Sequence, residues 1–124
     1  MSERPFITEE KHDGVRLVRL AANLTYANYR QLKELFERYQ ATNEMNTVLD
    51  LQECGYMDSA GLGLLASFVS SFRQKGGDIR LLHVPGALKD TLQITKLIKF
   101  FKLYADVDDA LKSYSLDAPP LRGV

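Results

Sequence analysis

The chain has 124 residues, 45% of them apolar and 26% charged, enough to bury one core and too few for two. Lys plus Arg and Asp plus Glu total 16 each, and this zero balance lacks the general basic bias of duplex-binding proteins. One cysteine, Cys54, excludes an internal disulfide, and with only His12 and His83 beside it no thiolate or imidazole ligand set for a metal can form.

Met1 to Pro5 lack the apolar run of a secretion signal. The longest apolar stretch, Gly61 to Ala66, is far too short to span a bilayer. A cytoplasmic protein without membrane insertion is expected. Phe6 to Glu10 is predicted as a strand, and Asp13-Gly14 is a strong two-residue hairpin signal before a returning strand, Val15 to Leu20. From Tyr26 to Gln40 the period changes to helical. Tyr29, Leu32, Leu35 or Phe36, and Tyr39 recur on one face, and Thr25 is the expected N-cap. Thr47 to Leu51 reads as an inner strand. A second amphipathic helix follows, with Leu62, Leu65, Val69 and Phe72 on one stripe, and Gly76-Gly77 ends it.

Ile79 to Val84 is apolar on both sides apart from Arg80 and His83, as a central strand would be. Pro85-Gly86 breaks the chain. Ala87 to Thr95 is predicted as a short helix and Phe100 to Tyr104 as the last strand. Val107 to Tyr114 is a final helix that turns Leu111 and Tyr114 inward, and residues 117–124 are expected to form a loose tail. The order is a hairpin followed by alternating helices and strands, so each later helix can act as a right-handed crossover. Residues 1–116 are therefore expected to form a single α/β domain, with a mixed sheet of parallel core strands and helices packed on it.

Met57-Asp58-Ser59-Ala60-Gly61-Leu62-Gly63 joins the third strand to the second helix and does not read as scaffold. Two glycines in a first helical turn each cost about 1 kcal/mol against alanine, so something is expected to approach closely there. A helix N-terminus also favours negative charge, so a phosphate on Ser59 would meet little local penalty. A plainer alternative is open: Asp58 or Ser59 caps the helix, and the glycines allow tight helix–strand packing.

Asp58-Ser59-Ala60-Gly61-Leu62-Gly63, preceded by Val48-Leu49-Asp50-Leu51, resembles the signature of the anti-sigma factor antagonist family, whose fold is the STAS domain. The resemblance runs from about Val15 to Leu111. It includes the Lys75-Gly76-Gly77 turn, Leu88 to Leu97 before Phe100 to Tyr104, and the acidic turn Asp106 to Asp109. It implies a switch in which a partner that is both anti-sigma factor and serine kinase phosphorylates Ser59. The unphosphorylated form would bind that partner, phosphorylation would end the binding, and a serine phosphatase would reset it. ATP and Mg²⁺ would belong to the kinase, so the chain itself would need no cofactor and would be no enzyme. The implied contact surface is Tyr56, Met57, Asp58, Ser59, Ala60, Gly61, Leu62 and Gly63, together with Thr25. Two positions depart from the family pattern. Ala22-Asn23-Leu24-Thr25 stands where Gly-Glu-Leu-Asp is common, and Thr95-Lys96-Leu97 where a glycine is common.

Other readings fit less well. Gly61-Leu62-Gly63-Leu64-Leu65-Ala66 matches a dinucleotide fingerprint, but Gly61 does not sit at the strand end as that motif requires. Ser59 lacks the Gly-x-Ser-x-Gly elbow of a hydrolase, and neither histidine is placed as its base. The competitor from another class is a STAS scaffold without a phosphoswitch, such as a regulatory subunit of a stress-sensing or membrane-transport complex. Lys89, Lys96, Lys99 and Lys102 against Asp90 form a basic stretch that reads as a solvated face or as a site for an acidic partner.

Overall fold

Asp13 and Gly14 both take positive φ, 48° and 83°, the backbone that closes a two-residue hairpin with the twist of its strands. That turn pairs β1 (Ile7–His12) antiparallel with β2 (Val15–Leu20), in register from Ile7 opposite Leu20 to His12 opposite Val15. Pairing continues to the turn itself, which carries β1 two residues past its predicted end. Then follow α1 (Tyr29–Ala41), β3 (Asn46–Asp50), α2 (Ser59–Gln74) and β4 (Asp78–Leu82). The chain continues with α3 (Gly86–Ile94), β5 (Leu103–Tyr104) and α4 (Val107–Leu116). These elements come from a computed structural model that describes residues 4–116, and the expected tail over 117–124 lies outside them.

The five strands lie in the order β1-β2-β3-β4-β5, and every pair after the hairpin is parallel. Alternation along the strands divides the core in two. Val18, Leu20, Leu49, Leu51, Ile79 and Leu81 meet the apolar stripes of α1, α2 and α3 on one face. Phe36, Phe68 and Phe72 cluster between α1 and α2 with ring centroids 5.4 to 6.1 Å apart, Phe72 edge-on to the other two and Phe36 tilted against Phe68. On the other face Val15, Leu17, Val48 and Leu82 are covered by α4 through Ala110, Val107, Leu111 and Tyr114.

Three elements differ from expectation. Asn28, not Thr25, is the N-cap residue of α1. The amides of Asn28 and Tyr29 donate to the Thr25 carbonyl, so residues 25–28 form a turn and the helix starts later. β5 shrinks to two residues, and Phe100 and Phe101, expected to begin it, lie in the turn before it with their rings 5.2 Å apart. His83 falls beyond β4, in the left-handed region at φ 56°.

Helices α1, α2 and α3 all end in a Schellman motif, in which an amide donates across the end of the last turn at 2.8 Å. Those bonds run from Glu44 to Tyr39, from Gly77 to Phe72 and from Leu97 to Leu92. The motif needs a left-handed residue, supplied by Asn43 (φ 59°), Gly76 (φ 88°) and Lys96 (φ 64°). Asparagine and glycine enter that region readily, and lysine does so at a cost of about 1 kcal/mol or more.

Arg80, expected only as a polar interruption of β4, is buried beneath α4. Its Nε lies 3.1 Å from Asp78 Oδ2, its terminal nitrogen donates to Ser113 Oγ at 2.7 Å, and its guanidinium stacks 4.0 Å from the Tyr114 ring centre. Asp78 also accepts from Arg73 Nε on α2 at 2.8 Å. The Tyr114 hydroxyl accepts from the Thr47 amide at 3.0 Å and faces the carbonyls of Thr47 and Asp78. Burial pushes that hydroxyl far above the ordinary tyrosine range, so it stays protonated as a donor. α4 is thus pinned to β3 and β4 by polar anchors as well as apolar ones.

Candidate functional site

β2 and β3 are adjacent and parallel, so the loops that follow them leave the same end of the sheet. Those loops are joined to each other. Leu24 and Met57 form an isolated parallel bridge, in which the Leu24 amide donates to Tyr56 O at 3.1 Å and the Asp58 amide to Leu24 O at 3.3 Å. Asn23 Oδ1 accepts from the amides of Gly55 (3.1 Å) and Tyr56 (3.2 Å). Asn28 Nδ2 donates to the Asn23 carbonyl at 2.8 Å, and Asn28 Oδ1 accepts from the Thr25 amide at 2.9 Å. Asn23 and Thr25 fill the positions where the family often has carboxylates, and here neutral side chains close the turn.

Asp58 completes the junction. As N-cap of α2, its Oδ1 accepts from the Gly61 amide at 2.9 Å, and its Oδ2 accepts from the Tyr26 amide of the neighbouring loop, also at 2.9 Å. The Gly61 bond and then the Tyr26 bond hold the carboxyl below the usual aspartate range, so it is ionised at neutral pH.

Ser59 is the first residue of α2 and is exposed. Because Asp58 does the capping, the Ser59 hydroxyl has no hydrogen-bond partner among the described residues. Two aromatic side chains stand out in these loops, Tyr26 at 77% exposure and Tyr56 at 53%. Tyr26 was invisible to periodicity because it reads as part of α1; the sequence signal for its release is Asn28, a good cap two residues later.

The remaining expected contact residues divide by burial. Gly63 is exposed, and Ala60 and Leu62 are half-buried. Met57 is buried at 2%, packed under the loop, so its side chain is not part of the surface. Gly61 is buried as well. A Cβ there would stand 2.5 Å from the Leu24 carbonyl oxygen, so the body that approaches this glycine is the chain's own neighbouring loop. At Gly63 a Cβ would meet nothing within 4 Å, which leaves that position open from outside. Thr25 is half-buried, with its hydroxyl accepting from the Ala27 amide at 3.2 Å.

The rival chemistries find no support in this geometry. His83 Nδ1 is 3.1 Å from Asp50 Oδ1 and His12 Nε2 is 2.9 Å from Glu10, so each imidazole is engaged away from Ser59. Cys54 is buried, and burial pushes its thiol up and away from the reactive thiolate. Among the described residues no three His, Cys, Asp or Glu side chains gather as metal ligands, and no helix is long and apolar enough to cross a membrane.

A parallel-cored sheet with helices on both faces, whose loops hold a capped helix N-terminus and an unengaged serine toward solvent, is a mixed α/β domain. The chain belongs to the STAS domain family, whose profile matches residues 7–110. It is 29% identical over 106 residues to the anti-sigma F factor antagonist of Paenibacillus polymyxa, covering 85% of this chain and 91% of that one. Its structure is similar to that of an anti-sigma factor antagonist from Mycobacterium paratuberculosis, with a TM-score of 0.77 at 26% identity over 88% of this chain and 92% of that one. The fold also matches that of the anti-sigma factor antagonist SpoIIAA in its unphosphorylated form, with a TM-score of 0.72 at 16% identity, covering 91% and 99% of the two chains. The phosphorylated form of the Bacillus cell fate determinant SpoIIAA matches with a TM-score of 0.68 at 16% identity over 86% and 97%.

Proposed function

We propose that this protein is an anti-sigma factor antagonist that binds an anti-sigma factor through the loops around Ser59 and is released when Ser59 is phosphorylated. The carrying observation is the division of labour at the start of α2. Asp58 satisfies the helix end and ties down the adjacent loop, which leaves the Ser59 hydroxyl exposed and uncommitted. The relatives that carry the antagonist name, and the solution of SpoIIAA in both phosphorylation states, support the same reading.

The electrostatics are consistent with such a switch. A phosphate adds nearly two negative charges beside the ionised Asp58, at a helix end whose free amides and dipole tolerate them in water. Buried at the centre of an interface, the same charge must be desolvated, and binding is lost. Tyr26 and Tyr56 supply aromatic anchors of the kind that dominate such contacts. In this scheme the partner is also the serine kinase and supplies ATP and Mg²⁺, a serine phosphatase restores the free hydroxyl, and the cycle runs in the cytoplasm. The chain is a substrate and a ligand, and acts by binding.

The test is intact mass after incubation with ATP, Mg²⁺ and a soluble extract of the source organism, beside Ser59→Ala. One added phosphate, missing from the variant, is the expected result. With the partner fractionated from that extract, Ser59→Ala keeps binding and Ser59→Glu weakens it about ten-fold or more. An unmodified chain in an extract with active kinases, or a Ser59→Glu variant that binds like the wild type, refutes the switch. Either result would favour a constitutive scaffold.

A further inference from the structure

We propose that the segment from Ile94 to Lys99 is a second docking surface, built for an acidic protein segment that brings an apolar side chain to Ile94. Ile94 ends α3 with 82% of its surface in water, more than Tyr26 or Tyr56 at the other site. Lys96 and Lys99 follow it in a turn-rich stretch folded back on the helix by the Leu97 and Ile98 amides, both of which donate to the Leu92 carbonyl. Both lysines are exposed, and among the described residues neither forms an ion pair.

Lys96 is the decisive residue. It holds the left-handed position of its Schellman motif at φ 64°, where the other two helices use asparagine and glycine. A Cβ and a long charged side chain at that position are unfavourable for the fold, which points to use of the charge itself. Arg73 in the last turn of α2 stacks 4.9 Å from the Phe100 ring centre, so this segment adjoins the C-terminal end of α2. α2 has 16 residues, which at about 1.5 Å of rise each puts its two ends about 24 Å apart. The surface therefore lies at the pole opposite Ser59 and is independent of the proposed switch.

The chemistry favours an acidic protein. Two lysines neutralise too few phosphates to hold a nucleic acid, and the chain has no net basic bias to add to them. One isoleucine gives too little apolar area to hold a membrane surface, but it suffices as the anchor of a protein contact.

The probe is a synthetic peptide of repeating Glu-Glu-Leu-Glu units, titrated into the full-length ¹⁵N-labelled chain. Amide shifts are expected over residues 92–102, with affinity falling as salt rises. Lys96→Gly should raise the melting temperature and weaken the peptide about two- to five-fold, and Lys96→Glu with Lys99→Glu about ten-fold or more. Ser59→Glu should leave this affinity unchanged. The proposal is overturned if Lys96→Gly raises the melting temperature and leaves affinity untouched, which is the behaviour of a merely solvated face. It is equally overturned if the shifts fall elsewhere, if Ser59→Glu abolishes them, or if single-stranded DNA or phosphatidylserine vesicles bind these residues more tightly than the peptide.

Discussion

The two ends of α2 share a construction and differ in what they leave available. Each has a glycine pressed against the carbonyl of a neighbouring segment: Gly61 against Leu24, and Gly77 against Met45, where an added Cβ would lie 2.5 and 2.3 Å from oxygen. Beyond that the ends diverge. At the C-terminal end charged side chains are consumed internally, with Arg73 and Arg80 on Asp78 and the aromatic ring of Tyr114 over Arg80. At the N-terminal end the bonds run mostly between backbone groups and three short polar side chains, Asn23, Asn28 and Asp58. A recognition surface needs its backbone satisfied from below so that side chains above stay free, and the Ser59 end meets that condition. At the other end Arg73, Arg80 and Asp78 are spent on one another and on holding α4 to the sheet, and the side chains left free at that pole belong to the turn after α3.

The largest effect is expected where charges are buried. Asp78→Ala removes a carboxylate shared by two arginines and should cost about 3 kcal/mol in urea unfolding, with the loops around Ser59 unchanged in amide spectra. Spectral changes at residues 23–28 would mean that the two ends are coupled. Next come the paired glycines of the recognition end. Gly61→Ala should cost about 1–3 kcal/mol, since its neighbour is backbone and cannot yield cheaply. Gly63→Ala should instead stabilise by about 0.5–1 kcal/mol, the ordinary helix preference. Equal signs would remove the distinction between a glycine kept for packing and one left open to a partner.

The smallest effect belongs to Asp58. Its folded carboxyl is lowered by the Gly61 and Tyr26 amides, so its stabilising contribution is complete above the ordinary aspartate pKa of about 3.9 and is lost as pH falls through the lower folded value. A side-chain NMR titration should show that lower midpoint. An ordinary midpoint would mean that the bond between the two loops is not held in solution.

Most of the element order was legible because it rests on local signals. Asp13-Gly14 fixed the hairpin, Leu32, Leu35, Phe36 and Tyr39 carried α1, and Gly76 ended α2. Asp58-Ser59 could be placed at a helix start for the same reason. What escaped depends on contacts distant in sequence. The start of α1 moved because residues 23–26 bond to residues 55–58, and no periodicity within a window records that. Met57 lies just before the signature and Gly61 within it, yet Leu24 decides that they face inward. Arg80 reads only as a polar interruption of an apolar strand, and its burial is made tolerable by Asp78 beside it together with Ser113 and Tyr114 arriving from α4.

The outer strands govern behaviour at high concentration. β1 exposes Thr8, Glu9, Glu10, Lys11 and His12, which puts a carboxylate on each of its faces, and β5 at the opposite margin is two residues long. A foreign strand adding to β1 would have to align its own side chains with that row of charges, and at β5 it would find almost no ladder to extend. Crowded copies of this chain are thereby kept from growing one sheet into another, and assembly is left to side-chain surfaces, where a phosphate or a salt change can still undo it.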